Sequence, residues 1–341
     1  MALRRTLILM RNRLVATFAT LALIFGVVSP TLANPKGVPN SNASGYWTEE
    51  RRNNAISREF QFEVGATEGK LVPQARRGGS GGGTNLPQGS TIQWTDQSAN
   101  EAKITGKVFF TMAGVDYVCS GSFVKEKEVK STFDIIVTAG HCVWNNSKNP
   151  NQRGFATNWI FYPNYASVGK TSGLTATTLI AHPTFTSQSS FNTTATLFDF
   201  AFAVVPQSDI VENSKPSLVR SDSNSFWSSD GIAFGYPAVS PYTGQSLFKS
   251  SGPIVSDPNN GDRTWRIPSD MTGGASGGPW YSGYFSTSLG STASVNSYKY
   301  SSDSRGMYGP KFNQSTLDLY TQATRGDCSG ATSIVNCKQI P

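Results

Sequence analysis

The chain has 341 residues and a formal charge of +7, with 38% hydrophobic and 15% charged side chains. Arg4, Arg5, Arg11 and Arg13 hold four of those charges, while residues 78–341 carry 18 basic against 17 acidic side chains. A near-neutral body excludes a phosphate-binding footprint and so a nucleic-acid partner, and the scarcity of long 3.6-residue periodicity excludes a helical fold.

In chain order, the arginines precede the uncharged apolar run "LVATFATLALIFGVV" (14–28), and "SPTLA" follows with small residues for cleavage after Ala33. This reads as a secretory signal over 1–33 and implies an extracellular or periplasmic protein. The later sequence has no run long enough to span a bilayer, so no stable membrane association is expected after cleavage. Residues 34–77 read as a propeptide, with a short helix expected in "WTEERRNNAISREF". Arg76-Arg77 and the glycine-rich linker 78–84 offer an accessible place for nicking. Ser80, in "GGSGGG", has no apolar strand beside it and sits in a tether.

Residues 85–341 read as strands and turns. "KVFFTM" and "YVCSGSFV" flank "AGVD" as a hairpin, followed by "FDIIVTA", "NWIFY", "TTLIAHPTF" and "FDFAFAVV". The second half offers "GIAFGYPA", "SLFKSSGPIV", "TWRIPS" and "TASVNSYKY", then a helix in "FNQSTLDLYTQAT" (312–324). Such spacing implies an all-β barrel or sandwich. "DPNNGD" (257–262) reads as a plain turn rather than a calcium loop. No Cys/His cluster has zinc spacing, and neither a metal nor a cofactor is expected.

The four cysteines suggest two disulfides in an exported chain. Three connectivities are open, and pairing near neighbours, Cys119 with Cys142 and Cys328 with Cys337, is the simplest. His182 reads as a structural residue. His141, in "VTAGHCVW", adjoins a cysteine that would pin its backbone. Asp199, in "TLFDFAFAVV", is a carboxylate in an apolar strand, costly unless paired. In that strand it shares a face with Ala201 and Ala203, which leave room for a partner ring. Ser276, in "MTGGASGGPW", has glycines on both sides that permit a sharp turn. A serine hydroxyl needs a base, the base needs a carboxylate to hold its tautomer, and the developing oxyanion needs backbone N–H donors. The same residues fit the G-x-S-x-G elbow of α/β-hydrolases, but there the histidine follows the serine, and no histidine follows Ser276.

The order His141, Asp199, Ser276 is that of chymotrypsin-like enzymes. "CSGSF", "VTAGHC", "DFAFAVV" and "GGASGGP" resemble the signatures of trypsin/chymotrypsin-like serine peptidases. The look is closest to secreted bacterial-type members related to glutamyl endopeptidases. The resemblance covers roughly residues 104–320. It implies two packed six-stranded antiparallel β-barrels, 85–205 and 206–341, the second with a short C-terminal helix and tail. It also implies His141 as general base, Asp199 as its orienter, Ser276 as nucleophile, and the N–H groups of Gly274 and Ser276 as oxyanion hole. The expected function is a secreted, monomeric endopeptidase acting on protein or peptide substrates.

The chain departs from the family at Ala275, where digestive members carry an aspartate that pairs with the new N-terminus. Activation by that ion pair is unavailable, so the propeptide is expected to cover the cleft or assist folding. Asp270 falls where trypsin-like members place a pocket carboxylate, which implies Arg or Lys at P1. Glu-cleaving relatives use a histidine on the strand after the nucleophile, where this chain has Asn296, which argues against Glu at P1. Ser297 is expected to bond the aspartate and line the substrate cleft. The alternatives are a Glu-specific endopeptidase and a catalytically inactive secreted binding protein on the same scaffold.

Overall fold

The computed structural model describes residues 43–72, 91–126, 132–167, 172–222, 230–283 and 290–340. The signal reading over 1–33, the Arg76-Arg77 pair, Ser80 and the 78–84 linker lie outside the described residues. All described residues fall within one compact unit, Val38–Pro341.

The N-terminal segment forms α1 (Ala43–Tyr46), α2 (Glu49–Asn54), β1 (Ile56–Ser57), β2 (Glu59–Phe62) and β3 (Lys70–Val72). Next come β4 (Thr91–Gln93), α3 (Asn100–Ile104), β5 (Thr105–Met112), β6 (Val115–Val124) and β7 (Phe133–Thr138). The first half continues with β8 (Trp144–Asn145), β9 (Gly154–Phe155), β10 (Thr157–Pro163), β11 (Leu174–Thr175) and β12 (Thr178–Ala181). Helices α4 (Pro183–Ser187) and α5 (Thr193–Leu197) lead into β13 (Ala201–Pro206). The second half holds β14 (Ser217–Leu218), β15 (Asp230–Gly235), β16 (Phe248–Pro253), β17 (Val255–Ser256) and β18 (Thr264–Pro268). It ends with β19 (Pro279–Ser282), β20 (Ser291–Val295), β21 (Tyr298–Tyr300), β22 (Gly306–Pro310), α6 (Gln314–Ala323) and β23 (Asn336–Gln339).

The fold is all-β, with curled, mainly antiparallel sheets and the architecture of a chymotrypsin-like double barrel. One nine-stranded sheet runs β11-β10-β5-β6-β7-β13-β12-β23, with β1 added beside β6. Two six-stranded sheets, β14-β20-β19-β15-β16-β4 and β17-β18-β22-β21-β2-β3, make the second half. Ala113 and Gly114 both have positive φ (49° and 81°), the backbone a two-residue hairpin turn between β5 and β6 requires. Phe109, Phe110, Phe123 and Trp159 are fully buried in the first-half core. Each such side chain contributes about 1.5–3 kcal/mol over leaving it exposed.

Both disulfides form between near neighbours, Cys119–Cys142 and Cys328–Cys337. The second braces the tail whose strand β23 pairs antiparallel with β12, so the C-terminus returns to the first-half sheet rather than staying with the second. The helix expected from "WTEERRNNAISREF" covers only Glu49–Asn54, capped by Thr48, because the residues after Ala55 gain sheet partners. "HPTF" turns into α4, with His182 as N-cap, instead of extending its strand. "DPNNGD" is a turn, with Asp257 capping a short 3₁₀ helix and Gly261 left-handed.

Candidate active site

Strand β7 ends at Thr138, and the chain coils through a 3₁₀ turn, Gly140–Cys142, that carries His141. The Cys119–Cys142 bridge ties this turn to β6. A Cβ at Gly140 would stand 3.1 Å from Asp199 Oδ1, so a bare backbone lets the carboxylate approach. Asp199 does not lie inside a strand as the alternation suggests. Helix α5 ends at Leu197, β13 begins at Ala201, and Asp199 sits in the connection.

There it is fully buried and receives three hydrogen bonds. His141 N–H donates to Oδ1 at 2.7 Å, His141 Nδ1 donates to Oδ2 at 2.8 Å, and Ser297 Oγ donates to Oδ2 at 2.5 Å. These donors offset the desolvation of the carboxylate and fix the imidazole proton on Nδ1. His141 Nε2 is buried without a hydrogen-bond partner among the described residues, so no bond to Ser276 is made in this conformation.

Ser276, 5% exposed, lies in a turn whose glycines are demanded by packing. A Cβ at Gly277 (φ +81°) would meet Thr138 Oγ1 at 2.2 Å, and one at Gly278 would meet the Phe234 carbonyl at 2.0 Å. Ser120 braces the turn twice, its N–H on the Ser276 carbonyl at 2.7 Å and its hydroxyl on the Gly274 carbonyl at 2.8 Å. Asn296 is a second brace: its Nδ2 donates to the carbonyls of Ala275 and Phe234, both at 2.9 Å, while Trp280 Nε1 donates to its Oδ1. It serves the turn that carries Ser276. The N–H groups of Gly274 and Ser276 are claimed by no backbone acceptor among the described residues.

A cavity of about 550 Å³ is lined by Thr272, which leads into the turn, and by Asp270, Val239, Lys299, Arg305 and Glu59. Tyr242 OH donates to Asp270 Oδ1 at 3.0 Å. The Lys299 ammonium, 6% exposed, donates to the carbonyls of Ser269, Met271 and Ser304 at 3.0–3.3 Å. Burial pulls Lys299 below the usual lysine range, opposed by Glu59 and then Asp270. Glu59 accepts from Gly273 N–H at 3.2 Å; burial raises its carboxyl, opposed chiefly by Lys299. Cys119, His141 and Cys142 also cluster, but both sulfurs are in the disulfide and supply no thiolate for a metal.

Sequence reasoning missed Lys299, Glu59, Phe60 and Arg58. "SYKY" reads as part of a strand with nothing to single out its lysine, and nothing in "ISREF" says that it lies across a cleft. The bracing role of Asn296 also escaped it.

Among solved structures, the protease Anisep from Arthrobacter nicotinovorans is 35% identical, with a TM-score of 0.56, and the match covers 67% of this chain and 98% of that one. The chain is a serine peptidase of the trypsin/chymotrypsin-like family. A thermostable serine protease, AL20, from an extremophilic microorganism is 28% identical, with a TM-score of 0.56, covering 67% of this peptidase and 100% of the other chain. A Glu endopeptidase at 16% identity and a TM-score of 0.51, covering 70% and 99%, shares the fold. No protein-family model and no curated protein matches the sequence. The peptidase is therefore a hydrolase acting on peptide bonds. No helix among its described residues is long and apolar enough to cross a membrane.

Proposed function

We propose that the chain is a secreted, monomeric endopeptidase that works through an acyl-enzyme formed on Ser276. The observation that carries this reading is the fully buried His141–Asp199 pair with Nε2 left unbonded on the far side of the ring. Nε2 takes the proton of Ser276 Oγ as the oxygen attacks the substrate carbonyl. The N–H groups of Gly274 and Ser276 receive the oxyanion, and His141 returns its proton to the leaving amine before water releases the acyl group. Asp199 holds the tautomer and stabilises the imidazolium. A binding protein on this scaffold has no use for a buried carboxylate held by three donors. Secretion is supported by the signal-like N-terminus and by two disulfides, which persist in oxidising compartments.

For P1, the expectation of Arg or Lys rests on Asp270. Two observations favour an acidic side chain instead. Asp270 is engaged by Tyr242, and the buried Lys299 ammonium stands in the same cavity, where the chain's own Glu59 carboxylate lies. We therefore favour acidic P1. Hydrolysis of a peptide panel varied at P1, by processed protein and its Ser276→Ala variant, tests both parts of the proposal. Preference for Glu over Arg by at least about tenfold, or about 1.4 kcal/mol, is expected. Preference for Arg would restore the Asp270 reading, and equal turnover by the variant would remove Ser276 from the mechanism.

A further inference from the structure

The N-terminal segment crosses the active site. Ile56 and Ser57 pair, in parallel, with Tyr117 and Val118 of β6, next to the Cys119–Cys142 bridge that anchors His141. Arg58 Nη1 donates to the His141 carbonyl at 2.6 Å, and a Cβ on Gly273 would fall 2.6 Å from Ser57 Oγ. Glu59 reaches Gly273 N–H in the cavity. Phe60 packs edge-on to the His141 ring at 5.4 Å and stacks on Phe191 at 4.2 Å. Phe60, Gln61 and Phe62 then pair, again in parallel, with Tyr298, Lys299 and Tyr300 of β21.

The direction of this crossing matters. A productive peptide presents the carbonyl of its pocket residue to Ser276, and the leaving amine, C-terminal to that carbonyl, takes its proton from His141. Its C-terminal half therefore lies toward the His141 and β6 side, and its N-terminal half lies along β21. Residues 56–62 do the opposite, with their N-terminal end on β6 and their C-terminal end on β21. Resting on the reading of Ser276 as nucleophile, we infer that residues 56–62 are a built-in inhibitor strand. It lines the pocket with Glu59 and covers His141 with Phe60, in a backbone sense opposite to that of a substrate. It therefore occupies the cleft without being cut there.

The test is the rate of fluorophosphonate labelling of Ser276 in three forms: the full chain, its Glu59→Ala/Phe60→Ala variant, and protein that has lost residues 43–72 by processing. The full chain is expected to label at least about tenfold more slowly than the other two. Mass mapping of the full chain after long incubation should find the Glu59–Phe60 bond intact. Equal labelling of all three forms, or a cut after Glu59, would overturn the inhibitor strand while leaving the activated serine standing. Absence of label from every form would instead sink the nucleophile reading, and the inhibitor strand with it. If the double variant fails to fold, comparison of full chain with processed protein decides the matter alone.

Discussion

Asp199 is fully buried and held by three hydrogen bonds. Its Oδ1 accepts the His141 backbone N–H, and its Oδ2 accepts both His141 Nδ1 and Ser297 Oγ. In Asp199→Asn, the amide oxygen keeps the backbone bond and its NH₂ faces Nδ1. The imidazole proton is driven to Nε2, where it can no longer accept one from serine. A fall in kcat of about 10⁴-fold with KM little changed is expected, since the loss belongs to the transition state. Steady-state kinetics on a peptide ester checks it; a drop of less than about tenfold would show that the pair is structural. The sequence singles out His141, Asp199 and Ser276 as candidates through scarcity, apolar surroundings and glycine spacing, and the structure pairs the first two. The sequence does not show the roles of Lys299 and Asn296, because these come from tertiary neighbours: three carbonyl oxygens around the ammonium, and the carbonyls of Ala275 and Phe234 around the amide.

At the scale of elements, strands whose apolar runs are long read correctly, and boundaries failed where a local cap competed with the ladder. "TTLIAHPTF" is continuous to the eye, yet β12 stops at Ala181 because His182 accepts the Thr184 N–H and starts α4. That bond uses the lone pair of a neutral ring, which also stacks on Phe198 at 4.3 Å. Burial pushes the His182 imidazole down to about 4, against an ordinary value of 6.5. Between those two pH values the unfolded chain binds more protons than the folded one, so stability falls as pH drops from 6.5 to 4 and is unaffected above that window. His182→Asn keeps a cap acceptor without a titrating ring. Thermal melts from pH 4 to 7 should show a shallower acid-side slope for the variant than for the parent. Parallel profiles would mean that His182 does not carry this proton.

The whole molecule differs from a bare two-barrel enzyme at both ends. Strand β23 returns to the first-half sheet, and residues 43–72 add β1 to one half and β2 and β3 to the other. The composition of 34–77 is polar and mixed in charge, and it gives no sign that residues 43–72 join the same compact unit as the body and pair with both halves. Strand pairing across two halves is set by the cleft it enters, and Glu59 and Phe60 carry no local mark of the residues they meet. The proposed chemistry requires the folded His141–Asp199 pair to activate Ser276. Intact-mass analysis of processed protein after fluorophosphonate treatment, beside Ser276→Ala, is the decisive measurement. One adduct, mapped to the peptide containing Ser276 and absent from the variant, is the expected result; no adduct on folded protein freed of residues 43–72 would mean that Ser276 is not activated.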